Sequence, residues 1–119
     1  MLQYVTLKVS DLERSASFYD SILAPLGWRR HEDGATTVSW GLIKSEIFIT
    51  QDETQAPGFG VVSFPAKSIP AVKASYESGM KNGGESAAEP GNPPAFGPGN
   101  YAARMLDPDG YLVELVVAP

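Results

Sequence analysis

Apolar and polar residues alternate strictly over residues 4–9: Val5, Leu7 and Val9 fall on one side, Tyr4, Thr6 and Lys8 on the other. That period of two predicts a half-buried strand. The period then changes. Leu12, Ala16, Tyr19, Leu23 and Leu26 recur at helical spacing and predict an amphipathic helix. Ser10-Asp11-Leu12-Glu13 reads as a capping box with Ser10 as the cap, and Pro25 and Gly27 mark the helix end. Shorter strands are expected at 28–32, 36–40 and 46–51, separated by Asp33-Gly34 and by residues 41–45, and residues 51–58 read as a linker.

The pattern then restarts. Residues 60–64 predict a strand, and 68–82 a helix with Pro70 in its first turn and Gly83-Gly84 beyond its end. Strands at 84–89, 101–106 and 112–117 follow, with a Pro/Gly-rich loop over 90–100. A shift of 57 positions lays Val5 on Val62, Leu7 on Phe64, Tyr19 on Tyr76, Asp20 on Glu77, Ser21 on Ser78 and Gly27 on Gly84. Both strand face and helix stay in register, so an internal duplication is the natural reading. The expected architecture is α+β, one domain over 1–119 built from two strand-helix-strand-strand-strand modules, 1–52 and 58–119.

The last strand carries an anomaly. Val113, Leu115 and Val117 share one face, while Glu114 sits between Leu112 and Val116 on the other. A carboxylate among apolar neighbours must be paired, protonated or metal-bound to be tolerated. Asp107-Pro108-Asp109-Gly110, just before it, supplies turn chemistry. Arg104 on the preceding strand is one candidate partner for Glu114, as a cross-strand ion pair; the Tyr4 hydroxyl is a second. The functional alternative is a dry pocket in which Glu114 binds a polar group of a ligand or moves a proton.

Composition narrows the chemistry. The net charge is −5, and the nine lysines and arginines are scattered, which argues against a nucleic-acid or phospholipid surface. There is no cysteine, so disulfides and thiolate chemistry are excluded. No apolar run reaches membrane-spanning length and no signal peptide is visible, which leaves the cytoplasm as the expected compartment. His31 is the single histidine and lies in a charged turn-like segment, where a solvated surface residue is expected. The glycine-rich segments do not lie between a strand and a helix as a phosphate-cradling loop must.

Val-Ser-Asp-Leu-Glu-Arg-Ser-x-x-Phe-Tyr at 9–19 and Leu-Asp-Pro-Asp-Gly-x-x-x-Glu at 106–114, set in a duplicated βαβββ chain, resemble the vicinal oxygen chelate superfamily. That superfamily includes glyoxalase I, bleomycin-resistance proteins and extradiol dioxygenases. The resemblance spans the whole chain and implies a cup-shaped mixed sheet around one divalent ion, with ligands from the first and last strands of each half. Carried over by position, those ligands fall on Tyr4, Phe48, Val61 and Glu114. Only Glu114 matches a family ligand. A catalytic ion needs about three protein ligands, so the ligand count argues against a divalent metal, and no cofactor is expected.

The strand faces predict a cup lined by Tyr4, Thr6, Phe48, Val61, Ser63 and Glu114, with Trp40, Tyr101, Arg104 and the Phe96 loop as further candidates. Apolar walls with a few directional polar groups suit a small, partly aromatic ligand. Two readings stand. One is a metal-free protein that binds or sequesters a small molecule, which the resemblance implies to be a homodimer. The other is a lyase, isomerase or dioxygenase with Glu114 catalytic, through an atypical metal site or through acid/base chemistry with Tyr4 or Arg104.

Overall fold

The protein is described by a computed structural model over residues 2–52, 60–93 and 98–118; Phe96 and most of the expected linker lie outside the described residues. The first module runs β1 (Val5–Val9), α1 (Leu12–Leu23) with a closing 3-10 turn (Ala24–Leu26), β2 (Arg29–Asp33), β3 (Thr37–Gly41) and β4 (Ile47–Gln51). The second runs β5 (Val61–Pro65), α2 (Ile69–Lys81), β6 (Glu85–Gly91), β7 (Tyr101–Leu106) and β8 (Leu112–Val117). Each element lies where the patterning predicts it, with ends displaced by a residue or two. The expected loop over 90–100 begins later, because Pro90 and Gly91 extend β6.

Each module folds its strands into its own mixed sheet, in the orders β1-β4-β3-β2 and β5-β8-β7-β6. The first and last strands of a module pair in parallel, the others antiparallel. Register makes the duplication explicit: Thr6 stands opposite Phe48 as Ser63 stands opposite Glu114. Phe48 is therefore the counterpart of Glu114. The repeat offset grows from 57 residues at the first strand to 66 at the last, mainly because the β6–β7 connection is the longer one.

The expected mixed sheet of the two modules consists of two four-stranded halves, one from each module. Among the described residues no strand of one sheet pairs with a strand of the other. Helix α1 packs on β2, β3 and β4, helix α2 packs on β6, β7 and β8, and the two helices pack on each other. One buried cluster joins Leu7, Val38, Trp40 and Ile49 to Phe64, Met105, Val113 and Leu115 through Phe18, Ile22 and Val72 of the helices. The modules thus meet through their helices, which bury apolar side chains of both, and each sheet keeps its other face open.

Local contacts decide several details. Ser10 was the expected helix cap, but Asp11 takes that place and accepts from the Arg14 N–H. Ser10 instead donates its N–H and hydroxyl to Asp109 of the second module, and its oxygen accepts from the Arg14 guanidinium at 2.9 Å rather than from a helix amide. Ser68 caps α2 as expected, accepting from Ala71 N–H. Gly41 closes the β3–β4 turn so tightly that an added Cβ would lie 1.7 Å from the Lys44 carbonyl oxygen. Gly41→Ala is expected to destabilise the fold by about 1–3 kcal/mol, measured by urea denaturation.

Candidate functional site

Glu114 is held by its own sheet. On the open face of β8, its Oε2 accepts from Arg104 Nε at 2.9 Å and forms the ion pair with the second guanidinium nitrogen at 2.8 Å. Its Oε1 accepts the Ser63 hydroxyl at 2.8 Å. The cross-strand register sets both contacts, since Arg104 and Ser63 each stand directly opposite Glu114 on the flanking strands. The Glu114 side chain is 15% exposed, so these donors replace water where little remains. Tyr4, the other candidate partner, makes no contact with it among the described residues.

The first sheet presents different chemistry at the equivalent positions. Tyr4 and Phe48 stack edge to face with centroids 5.2 Å apart. With Thr6, Thr37 and Thr50 they wall a shallow depression of about 290 Å³. Tyr4 is 57% exposed and Val61, its counterpart on the second sheet, 55%. Of the expected cup residues, Tyr4, Thr6 and Phe48 thus gather on one open face, and Val61, Ser63, Arg104 and Glu114 belong to the other sheet. Among the described residues the two groups lie on two separate four-stranded sheets.

Two further candidates belong elsewhere. Trp40 shares the helix-facing side of its strand with Val38, is buried, and donates its indole N–H to Asp20 at 2.8 Å. Tyr101 sits on the same side of β7 as Ala103 and Met105, packed against the core. Register places both on the face opposite the cup. Phe96 lies outside the described residues. His31 is exposed on β2, with Nε2 3.2 Å from the Gly41 carbonyl oxygen.

These residues do not fit a divalent ion. A phenol, a phenylalanine and a valine occupy three of the four family positions, and the carboxylate at the fourth is already bound by a guanidinium. Tyr4 and Phe48 are also turned to each other as rings. Among the described residues no group of three histidine, cysteine, aspartate or glutamate side chains comes together.

A second polar cluster ties the modules together. Asp107 Oδ2 accepts the hydroxyl of buried Tyr19 at 2.5 Å, while Oδ1 accepts the Asp109 and Tyr111 amides at 2.9 Å each. Asp109 Oδ1 accepts from Ser10 N–H and hydroxyl, and Oδ2 accepts from Ser15. Burial pushes the Asp107 carboxyl above the usual aspartate range, against the hydrogen bonds from Tyr19 and the two amides. Burial, then the neighbouring Asp107 charge, raises the Tyr19 phenol well above its ordinary value. The turn motif was legible in sequence. Its role as a clamp was not, because its partners lie about ninety residues away and Tyr19 reads simply as part of an apolar stripe.

No protein-family profile matches the chain. It is 28% identical to the uncharacterized protein YqjT of Bacillus subtilis, over 97% of each chain. A crystal structure of a glyoxalase/bleomycin resistance protein from Albidiferax ferrireducens superposes with a TM-score of 0.83 at 26% identity, covering 98% of both chains. A putative glyoxalase from Bacillus halodurans superposes with a TM-score of 0.80 at 28% identity, covering 98% of this chain and 95% of that one. The duplicated βαβββ architecture is thus that of these glyoxalase and bleomycin-resistance structures along nearly the whole length of the chain, whose single histidine, His31, lies at none of the positions where the superfamily it resembles places its metal ligands.

Proposed function

We propose that this chain is a metal-free protein that binds or sequesters a small, partly aromatic molecule. The observation that carries this reading is the state of Glu114. It is the one family ligand position with ligating chemistry, and it is engaged by Ser63 and Arg104. What the two open faces offer a ligand is aromatic surface from Tyr4 and Phe48 and a fixed polar pole at Glu114 and Arg104. Apolar walls with few, oriented polar groups bind by burial and select by hydrogen bonding. Because the faces are separated within a chain, the closed cup requires a second copy, the first sheet of one protomer meeting the second sheet of its partner. A homodimer is the assembly this geometry calls for.

The test is elemental analysis of protein purified without chelators or affinity-tag metal, alongside Glu114→Ala. The reading expects only substoichiometric divalent metal in both proteins, with saturable binding of the aromatic probe anilinonaphthalene sulfonate by the wild type. Stoichiometric metal that disappears in Glu114→Ala would overturn it and make a metalloenzyme of the lyase or dioxygenase kind the leading case.

A further inference from the structure

The duplication supplies an internal comparison for a cleft on the helix side of the second sheet. In the first module, Tyr19 is buried and gives its hydroxyl to Asp107. Asp20 beside it accepts from Trp40 Nε1 at 2.8 Å and from Arg30 at 3.1 and 2.7 Å. Every polar atom there is committed to the fold. Of their counterparts one repeat later, Tyr76 and Glu77, only the tyrosine is tied to the fold. Tyr76 is half-buried, with its hydroxyl donated to Ser86 at 2.6 Å, and Glu77 has no hydrogen bond or ion pair among the described residues.

These two residues, with Lys73, Glu89, Pro90 and Tyr101, line an open surface cleft of about 390 Å³ between α2, β6 and β7, its three charged side chains exposed. That volume lies within the range of small-ligand sites, about 300–1,000 Å³. Two tyrosines and a proline supply its apolar walls. Lys73 and Glu89, like Glu77, form no ion pair among the described residues, although all three line the same cleft. Two carboxylates against one ammonium leave the cleft with a net negative charge.

We propose that this cleft is a binding site for a small aromatic amine in its ammonium form. The aromatic ring packs between Tyr76 and Tyr101 against Pro90, and the ammonium sits between Glu77 and Glu89. Tyrosine faces attract such a cation through their quadrupoles, and the carboxylates give it charge-assisted hydrogen bonds. An aromatic acid would meet two like charges for one opposite. Tyr101 faces the helices while Glu114 lies on the opposite face of the sheet, so this site is independent of the cup.

The full chain, labelled with nitrogen-15, is titrated with phenethylamine at neutral pH and followed by amide chemical shifts. Saturable shifts are expected around Lys73, Glu77, Glu89 and Tyr101. Glu77→Gln/Glu89→Gln should keep a dispersed spectrum and weaken binding by about tenfold or more, a loss of roughly 1.4 kcal/mol. Phenylacetate, the same ring with the opposite charge, should bind at least about tenfold more weakly than the amine. Shifts that do not saturate, affinity unchanged in the double variant, or phenylacetate binding as well as the amine would each overturn the proposal. Shifts centred on Glu114 and Arg104 would assign the amine to the cup and likewise overturn it.

Discussion

Asp107→Ala is expected to lower stability by about 3–4 kcal/mol, the penalty of leaving one buried hydroxyl and two backbone amides without their acceptor. The hydroxyl is that of Tyr19, fully buried between the modules, and the amides are those of Asp109 and Tyr111. Urea denaturation measures the loss directly. Tyr19→Phe should cost less, because the turn amides keep Asp107. The pH dependence has a definite sign. Burial raises the Asp107 carboxyl in the folded protein, with the nearby Asp109 charge acting in the same direction. The folded state therefore holds that proton more tightly than the unfolded chain. The contribution of this group is fully present below the unfolded value of about 3.9 and is lost as pH rises through the raised folded value. Asp107→Asn, which imitates the protonated side chain, should therefore gain on the wild type as pH climbs through that window. A stability difference that is flat with pH, or that shrinks on raising it, would show that Asp107 is not the buried clamp.

How much of this was legible in the sequence depended on the range of each interaction. Val5, Leu7 and Val9 declared β1 by local alternation, and Leu12 to Leu26 declared the helix by its local period. Arg104 could be named as a partner for Glu114 because β7 and β8 form a hairpin, whose register follows from its short turn. Ser63 appeared as a lining residue but not as a donor to Glu114, since the parallel β5–β8 pairing joins residues about fifty positions apart. Trp40 was placed on the wrong face because a short alternating strand fits two registers, and only pairing with Ile47 decides between them. The capping box failed at Ser10 for a long-range reason too: Asp109, from the other module, accepts the Ser10 N–H that Glu13 would have satisfied. The separation of the two open faces was outside the reach of patterning altogether, because identical amphipathic elements would serve either a closed or a divided pair of sheets.

That separation leads to the second large effect, complementation between two defective proteins. Tyr4→Glu places a charge on the open face of the first sheet, and Val61→Glu does so at the equivalent position of the second. Both native side chains are more than half exposed, so neither substitution disturbs the core. Each alone is expected to abolish saturable binding of anilinonaphthalene sulfonate, an aromatic anion that a buried carboxylate would repel. Suppose the cup joins the first sheet of one protomer to the second sheet of its partner. A mixed dimer then has one cup carrying both substitutions and one carrying neither. Random re-association of equal amounts makes about half the dimers mixed, so about one quarter of the wild-type sites should return, by symmetry alone. Unfolding the two variants together in urea, refolding them and titrating the probe measures that fraction, with each variant refolded alone as the reference. If both faces of a cup came from a single chain, every cup would keep one substitution and nothing would return. Recovery near one quarter therefore establishes both the dimer and the way it closes, and its absence would overturn the shared cup while leaving the Asp107 clamp untouched.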